Sequence, residues 1–467
     1  SDDSAIMTQT IHLTAVGGTG MGTLACMLKD SGYSITGSDR NIYPPMSDQL
    51  RDHDIRVFEG YDPKNLDHDP DLVIIGNVVT RQNPEAAAVM ERGLPYLSMP
   101  QAINRFFAKD KKIILVTGTH GKTTTSSIMA HMLYHAGLDP SFIIGGVLKD
   151  FDTGFHIGAG EYLVIEGDEY DTAFFDKESK FLHYDPAITI LTGIEFDHAD
   201  IFNDLDHIKQ SFIKLMHKLS PDSLLVASSV CETAAEVIPA SESRLVRYGN
   251  EGFTCSGYRV EQQESRFAIF DHGQTCCEVR TGLQGEHNAS NILACVAAAR
   301  EIGLSSEAIE AALSDFSGIK RRQEIRGVKQ GITVMDDFAH HPSAVKETIA
   351  AVKPFYSNGR VIAVFEPRTN TSMRRIFQDV YPAAFAEADL VCIAKPTMMS
   401  KIPEKERVDP QKLVNDIRQN GNEARFFEDT GAIVEFLRIE SRQNDLILIM
   451  SNGGFDNIHQ RILEVLC

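Results

Sequence analysis

Short apolar runs alternate with segments of helical period along most of the chain. Strands are predicted at residues 11–16, 33–36, 72–75, 113–116, 162–165, 187–191, 332–335, 360–365, 390–393 and 446–450. Helices are predicted at residues 23–30 and 288–300, whereas the polar stretches between about 221 and 280 favour antiparallel strands. Buried strands alternating with helices are typical of mostly parallel α/β sheets.

Two short polar stretches divide this pattern into three blocks. A charged segment at residues 108–112 ends the first block, and a glycine followed by a basic cluster ends the second near residue 320. The 467 residues suffice for about three domains. We therefore predict α/β domains at residues 1–108, 109–320 and 321–467.

Composition excludes several classes of partner. The formal net charge is -20, so the chain is expected to bind nucleic acid poorly, because that affinity comes from Lys and Arg. No apolar run approaches the roughly 18 residues of a membrane-spanning helix, and the acidic first residues do not resemble a signal peptide. The eight cysteines form no C-x-x-C pair, which favours free thiols in a reducing compartment. We expect a cytoplasmic protein.

The strongest chemical signal is a glycine-containing loop between a predicted strand and a predicted helix, with the sequence GTHGKTT. Its residues are Gly118, Thr119, His120, Gly121, Lys122, Thr123 and Thr124. The glycines let backbone N–H groups surround phosphate oxygens, while the lysine reaches the outer phosphates and a threonine hydroxyl can bind Mg²⁺. Val116 replaces the first glycine of the usual motif, and a coincidental glycine turn is the alternative.

Two motifs that follow strands could bind metal ions. Glu166 opens the sequence EGDEYD after the strand at 162–165, where carboxylates face the ligand crevice of a parallel sheet. Mg²⁺ prefers such oxygen ligands, although a short acidic run by itself is usually a solvated loop. His198 lies in EFDHAD and could bind a second Mg²⁺ or a substrate carboxylate, but a lone histidine is more often structural.

Three further motifs could contact a nucleotide. Asn288 and Asn291 begin a predicted helix, where they could cap it or pair with an adenine edge. Arg322 lies in a basic cluster that is either a surface patch or a source of charge for a γ-phosphate. Asp336 and Asp337 follow a strand, where a carboxylate could accept hydrogen bonds from ribose hydroxyls.

Taken in order and spacing, these motifs resemble the Mur ligase superfamily over essentially the whole chain. The resemblance implies a Rossmann-like N-terminal domain for a uridine nucleotide, a central P-loop ATPase domain and a Rossmann-like C-terminal domain for the acceptor. A shortened phosphate loop is typical of that family, which accounts for Val116. Gly167 replaces the usual alanine, with little expected effect. Lys214 is out of register with the carbamylated lysine of other branches, so we expect no such modification.

The branch is narrowed by the N-terminal glycine loop at residues 17–22 (GGTGMG) and by residues 37–39 (GSD), which resemble a UDP-N-acetylmuramate pocket. A bare glycine loop also fits a dinucleotide fold. Further segments resemble a branch that recycles cell-wall tripeptide, at residues 41–46, 76–84, 174–181, 195–202, 366–370 and 450–455. The implied reaction joins L-Ala-γ-D-Glu-meso-diaminopimelate to UDP-N-acetylmuramate through an acyl phosphate, with ATP and two Mg²⁺ ions.

The resemblance also implies roles for individual residues. The catalytic and metal-binding side chains are Lys122, Glu166, His198 and Arg322, with Thr123 as a further ligand of the first Mg²⁺. Asn291, beside Asn288, is expected at the adenine and Asp337 at the ribose. The uridine nucleotide site is expected to include Gly18, Thr19, Gly20, Ser38, Asp39 and Asn77. The acceptor peptide is expected at Arg368, Asn370 and Asn452, because an arginine fork suits a peptide carboxylate.

Other functions remain open at this point. A UDP-N-acetylmuramate–L-alanine ligase is the main alternative, and segments 366–370 and 451–454 argue against it. A catalytically silent nucleotide-binding regulator is disfavoured by intact Lys122, Glu166, His198 and Arg322. A folate polyglutamate ligase shares the phosphate loop but should lack the uridine nucleotide domain. His198 and His340 are both candidates for the base that takes the proton of the attacking amine.

Overall fold

The computed structural model describes residues 8–196 and 203–466, which form two compact units. The first unit comprises the described residues within Ser1–Ile194, Asp206–Gly252 and Ala294–Ala312. The second unit comprises the described residues within Glu195–Leu205, Phe253–Leu293 and Leu313–Cys467. Each unit is built around parallel β-sheet, as the alternation of strands and helices predicts.

The N-terminal sheet of the first unit is parallel, with strands in the order β3-β2-β1-β4-β5. Its elements are β1 (Thr10–Thr14), α1 (Thr19–Asp30), β2 (Ser34–Asp39), α2 (Met46–Asp52), β3 (Arg56–Glu59), β4 (Leu72–Ile75), α3 (Pro84–Arg92), β5 (Tyr96–Ser98) and α4 (Met99–Phe106). This order belongs to the dinucleotide-binding fold and confirms the Rossmann-like prediction.

Helix α1 begins four residues earlier than predicted and includes two glycines of the loop. A Cβ atom at Gly22 would lie 2.2 Å from the sulfur of Met46, so the glycine lets α1 pack closely on α2. Glycine usually disfavours a helix interior, and this tertiary contact overrides that preference. The structure therefore places Gly20 inside a helix, not in a loop.

The second sheet of the first unit continues the chain from the charged segment. Its elements are β6 (Lys112–Thr117), α5 (Lys122–His135), β7 (Ser141–Leu148), β8 (Thr153–His156), β9 (Tyr162–Gly167), β10 (Asp171–Ala173), β11 (Asp176–Ser179), β12 (Pro186–Leu191), α6 (Leu205–Lys218), β13 (Leu224–Ser228), α7 (Glu232–Val237) and β14 (Arg244–Gly249). Seven strands lie in the order β14-β13-β12-β6-β9-β7-β8, and β8 alone among them is antiparallel to its neighbour. Strands β10 and β11 form a separate antiparallel ribbon.

The prediction of antiparallel strands between 221 and 280 is wrong in its first part. Strands β13 and β14 pair in parallel, and all five residues of β13 are buried, a pattern typical of parallel sheets. The later part is confirmed, because β15 (Phe253–Glu261), β16 (Glu264–Asp271) and β17 (Gln274–Thr281) are antiparallel. Their alternating burial has the period of a sheet with one solvated face.

The rest of the second unit holds a six-stranded sheet in the order β18-β19-β23-β20-β21-β22, in which β18 is antiparallel. Helices α8 (Glu286–Ile302) and α9 (Ser306–Asp315) precede this sheet in the chain, and their residues are divided between the two units. The elements of the sheet and its connections are β18 (Glu324–Lys329), β19 (Ile332–Asp337), α10 (Pro342–Val352), β20 (Val361–Phe365), α11 (Tyr381–Ala384), β21 (Leu390–Ala394), α12 (Pro410–Gln419), β22 (Glu423–Phe427), α13 (Thr430–Glu440), β23 (Leu446–Met450) and α14 (Ile458–Val465). Apolar clusters cover both faces.

The position of β23 matters for function, because the last strand lies between β19 and β20. Met450 at its end pairs with Asp337 of β19 and with Phe365 of β20. The segments that follow these three strands therefore leave the sheet at the same edge. This edge is where α/β sheets usually bind ligands.

The predictions about membrane-spanning helices and disulfides can be compared with the described residues. No helix in the described ranges combines the length and apolarity needed to cross a bilayer. The seven cysteines among these residues are all free thiols, in agreement with the spacing argument.

Candidate functional site

The predicted phosphate-binding loop of the first unit connects β6 to α5. Gly118 and Gly121 adopt positive φ angles of 133° and 78°, which favour glycine. A Cβ atom at Gly118 would lie 2.1 Å from the hydroxyl oxygen of Thr192, so no side chain fits there. The backbone N–H of Thr119 donates to the carbonyl of Gly193 at 2.8 Å, and Thr192 donates to the carbonyl of His120 at 2.7 Å. This loop at a helix N-terminus fits a phosphate group.

Lys122 is the first residue of α5 and is held by an acidic loop after β9. Its ammonium donates to the Gly118 carbonyl at 2.8 Å and to Glu169 at 3.2 Å, and lies 3.7 Å from Asp168. Burial lowers the pKa of Lys122, but the carboxylates of Glu169, Asp168 and Glu166 raise it above its ordinary value. Lys122 therefore stays charged, surrounded by groups with the same charge sign as a phosphate.

Glu166 lies at the end of β9, close to the N-terminal sheet of the same unit. A Cβ atom at Gly145 of β7 would be 2.9 Å from a Glu166 carboxylate oxygen and 3.7 Å from the Thr19 hydroxyl. Glu166, the predicted metal ligand, and Thr19, a predicted uridine-site residue, thus both lie close to Gly145. Sequence reasoning missed Gly145, since nothing local marks it. The carboxylates here offer the oxygen donors that suit Mg²⁺.

The glycine loop after β1 is fixed by the end of β2. The Gly17 N–H donates to the Asp39 carboxylate at 2.7 Å, and Tyr61 donates to the other Asp39 oxygen at 3.4 Å. Ser38 is fully buried, and its carbonyl accepts from two N–H groups of residues 15 and 16. Its hydroxyl donates to Glu85 at 2.5 Å. The hydrogen bonds to the Ser38 carbonyl thus fix the start of the glycine loop.

The remaining uridine-site predictions surround this loop. Gly18 precedes α1, Thr19 and Gly20 are its first residues, and a Cβ atom at Gly18 would meet open space. Asn77 follows β4 and is half-buried. All of these positions lie at the carboxyl ends of β1, β2 and β4, where the strand order reverses. Such a crevice is the usual nucleotide position in this fold.

In the second unit, Asp337 ends β19 and is almost completely buried. Its carboxylate accepts from the N–H groups of Gln323 at 2.9 Å and Ala339 at 2.8 Å. Burial raises the pKa of Asp337 despite the nearby charge of Arg322. The Arg322 guanidinium lies 4.8 Å from the centre of the Phe338 ring. The predicted nucleotide residues Arg322 and Asp337 are therefore neighbours.

Arg321, which sequence reasoning did not single out, has a different environment from Arg322. Its guanidinium donates to the carbonyls of Ser451 at 2.9 Å and Gly453 at 2.6 Å, and lies 3.2 Å from buried Asp336. Burial raises the pKa of Asp336, but His459 and the cations Arg321 and Arg326 hold it below its ordinary value. Arg321 thus fixes the loop after β23.

The predicted acceptor residues gather around that loop. A Cβ atom at Gly453 would lie 2.3 Å from Arg368, so the arginine crosses the glycine at close range. The Ser451 hydroxyl donates to buried Glu366 at 2.7 Å, which joins the ends of β23 and β20. Asn452 lies between these contacts, and Asn370 accepts from Arg374 at 2.6 Å. Glu366 and Ser451 were missed as single residues, although they lie in predicted acceptor segments.

The two asparagines of α8 form a hydrogen-bonded pair. Asn291 donates to Asn288 at 3.2 Å, and Asn288 donates to the carbonyl of Gln284 at 2.9 Å. His198 and its predicted metal role lie outside the described residues. Lys214 is an exposed residue of α6. The predicted adenine and modification assignments remain predictions.

Family models match three successive parts of the chain. The Mur ligase family catalytic domain matches residues 10–111, the Mur ligase middle domain matches residues 116–299, and the glutamate ligase domain of Mur ligases matches residues 321–453. These spans leave the boundaries predicted at 108 and 320 as predictions.

Curated relatives match over nearly the full length. A UDP-N-acetylmuramate–L-alanyl-γ-D-glutamyl-meso-2,6-diaminoheptandioate ligase from Haemophilus influenzae is 38% identical over 98% of this chain and 99% of its own. The enzyme of the same name from Escherichia coli is 39% identical over 97% of each chain. A murein peptide ligase structure from Psychrobacter arcticus is 33% identical, with a TM-score of 0.75 over 98% of both chains. The chain therefore belongs to the Mur ligase family.

Proposed function

We propose that this protein is an ATP-dependent ligase that joins the tripeptide L-Ala-γ-D-Glu-meso-diaminopimelate to UDP-N-acetylmuramate. The observation that carries the proposal is the near-full-length similarity to two ligases named for this reaction. The phosphate loop, the Rossmann-like N-terminal sheet and the loop after β23 at residues 451–454, here called the acceptor loop, would supply the three kinds of site that the reaction needs. We expect it to take place in the cytoplasm, where the free thiols would persist.

The first step would form an acyl phosphate. A carboxylate oxygen of UDP-N-acetylmuramate attacks the γ-phosphorus of ATP, and the bond to ADP breaks. Such a transfer depends mainly on positioning and on neutralisation of charge. Lys122 would exchange its carboxylate partners for the outer phosphates, while the backbone of residues 118–121 holds the nucleotide. Arg322 is proposed to act on the same phosphates.

Mg²⁺ at this site would neutralise phosphate charge, and its proposed ligands are Thr123 and Glu166 for one ion and His198 for a second. Glu166 is close enough to Thr19 for the uridine substrate and the metal site to be organised together. Asn288, Asn291 and Asp337 are proposed to hold the adenosine part. Asp337 already accepts two backbone N–H groups, which fixes its orientation.

The second step would form the amide. The amine nitrogen of the tripeptide attacks the acyl carbon, phosphate leaves and the amine loses a proton. We propose that Arg368 binds a peptide carboxylate and that Asn452 and Asn370 orient the peptide backbone. The acceptor loop is well suited to this, because Arg321 and Glu366 fix it on both sides. Closure hinged near Lys320 would exclude water.

The test is phosphate release from ATP with UDP-N-acetylmuramate present, comparing the tripeptide with L-alanine as acceptor. Turnover with the tripeptide and little with L-alanine is expected. Turnover only with L-alanine would instead indicate a UDP-N-acetylmuramate–L-alanine ligase. Absence of turnover with both acceptors, while ATP still binds, would favour a nucleotide-binding regulator.

A further inference from the structure

Lys180 is a buried lysine beside the phosphate loop. It begins the short helical turn at residues 180–183, directly after the ribbon strand β11. Only 9% of the residue is exposed, and burial lowers the pKa of its amine. Lysine is seldom buried to this degree unless it is paired. Its burial beside the carboxylate of Asp168 therefore needs an explanation.

The partner of Lys180 is Asp168, which lies between two lysines. One Asp168 oxygen is 3.7 Å from the Lys122 ammonium, and the other is 3.7 Å from the Lys180 ammonium. Tyr170 donates a hydrogen bond to the second oxygen at 2.8 Å, and its ring lies 4.6 Å from the Lys180 ammonium. Asp168 is thus supported from the Lys180 side independently of Lys122.

This arrangement has a consequence for nucleotide binding. If Lys122 turns towards phosphate, as the proposed function requires, it must weaken its contact with Asp168. A partly buried carboxylate that loses its cation is costly. With Lys180 and Tyr170 in place, Asp168 stays compensated, and the cost of releasing Lys122 is lower. Each lysine thus compensates one oxygen of the Asp168 carboxylate.

We propose that Lys180 is a positioning residue that keeps Asp168 compensated, so that Lys122 is free to bind the nucleotide phosphates. The proposal rests on the proposed function only through the role of Lys122 in ATP binding. The ribbon β10–β11, which precedes Lys180, is itself held by packing on the N-terminal sheet. Phe174 and Phe175, between β10 and β11, pack on the apolar cluster of the N-terminal sheet, which includes Val79 near predicted Asn77. The segment that carries Lys180 is therefore anchored beside the uridine site.

The test measures ATP binding by calorimetry with Mg²⁺ and without any acceptor, so it does not depend on which acceptor is used. Lys180→Met keeps most of the side-chain volume and removes the charge. We expect it to weaken ATP binding by roughly tenfold or more, because Lys122 must then compensate Asp168. The double variant Lys180→Met with Asp168→Asn should bind ATP several times more tightly than Lys180→Met alone.

Lys177→Met is the matched control, since Lys177 lies three residues away on the ribbon, is largely exposed and pairs with Asp171. It should bind ATP like the unmodified protein. If Lys180→Met is unstable, Lys180→Arg, which keeps the charge, should retain ATP binding. Unchanged ATP affinity in folded Lys180→Met, or no recovery in the double variant, would overturn the proposal. A protein that binds ATP as described here but uses another acceptor would leave it intact.

Discussion

The two units hold their buried cations in different ways. In the first unit, Lys122 donates to one backbone carbonyl, that of Gly118, and lies against the carboxylates of Glu169 and Asp168. In the second, Arg321 donates to two backbone carbonyls and lies against one carboxylate, that of buried Asp336. Carboxylate partners can be exchanged for phosphates, whereas carbonyls of a folded loop have no competing ligand. On this comparison we propose that Lys122 is a ligand-binding cation and Arg321 a structural one.

Adjacent arginines show the same distinction within one unit. Both guanidinium groups lie over the Phe338 ring, at 5.3 Å for Arg321 and 4.8 Å for Arg322. Arg321 also donates to the acceptor loop, whereas the charge of Arg322 acts on the predicted ribose carboxylate Asp337. The chain turns sharply at this point, because Arg321 has a positive φ of 64°. The turn lets Arg321 contact the acceptor loop while Arg322 lies near Asp337.

The largest effect is expected from Lys122→Met, which removes the exchangeable cation. ATP turnover should fall by about 10²–10³-fold, because a charge that stabilises phosphoryl transfer is lost. Steady-state phosphate release at saturating UDP-N-acetylmuramate and tripeptide measures the change. Lys177→Met, an exposed lysine of the same unit, serves as the control. A loss smaller than tenfold would contradict the role of Lys122.

A smaller and more selective effect is expected from Arg321→Met. The carbonyls of Ser451 and Gly453 lose their donor, so the acceptor loop should loosen and KM for the tripeptide should rise by about tenfold. The KM for ATP should change little. Arg326→Met is the control, since Arg326 lies 3.6 Å from the same carboxylate of Asp336 and donates to neither of these loop carbonyls. A rise in KM for ATP instead of tripeptide would break the distinction between Arg321 and Arg322.

The smallest effect concerns His287, at the start of α8. Burial lowers its pKa from 6.5 to about 4. Between these values the unfolded chain binds a proton that the folded chain does not, so stability should fall as the pH drops from 6.5 towards 4. Between pH 7 and pH 5, His287→Gln should reduce this loss by about 2 kcal/mol.

Urea unfolding at pH 7 and pH 5 measures this difference. His272→Gln, which changes an exposed ring in the turn after β16, is the matched surface control. An equal loss of stability in His287→Gln and the unmodified protein would show that His287 does not titrate as its burial implies.

The main predictions for the first unit depended on residues that are neighbours in the sequence. The phosphate loop was predicted because its strand, glycines, lysine and helix lie within about 20 consecutive residues, where local backbone rules apply. Glu166 was predicted for the same reason, as a carboxylate at the end of an apolar run. The error at β13 and β14 arose because their pairing partners lie on other strands, which local polarity does not specify.

Lys180 could not be predicted from the same rules. It lies in a polar stretch, 12 residues beyond Asp168, and the ribbon β10–β11 folds back to bring the two side chains together. Likewise, Gly145 is an ordinary strand glycine until β7 pairs with β9 and places it beside Glu166. In both cases the residue is distinguished only by its distance to a side chain on another segment, which the local sequence does not contain.

The sequence by itself determined the α/β class, the phosphate loop, the acidic motif and the order of motifs that resembles the Mur ligases. These features depend on residue type and short spacing, which local backbone preferences and side-chain chemistry fix. The tertiary structure decided that β23 enters between β19 and β20, which joins Ser451 to Glu366 across 85 residues of chain. It also decided which lysine compensates Asp168, because the ribbon β10–β11 folds back on itself, and which arginine holds the acceptor loop, because the segments around β19 and β23 leave the sheet side by side.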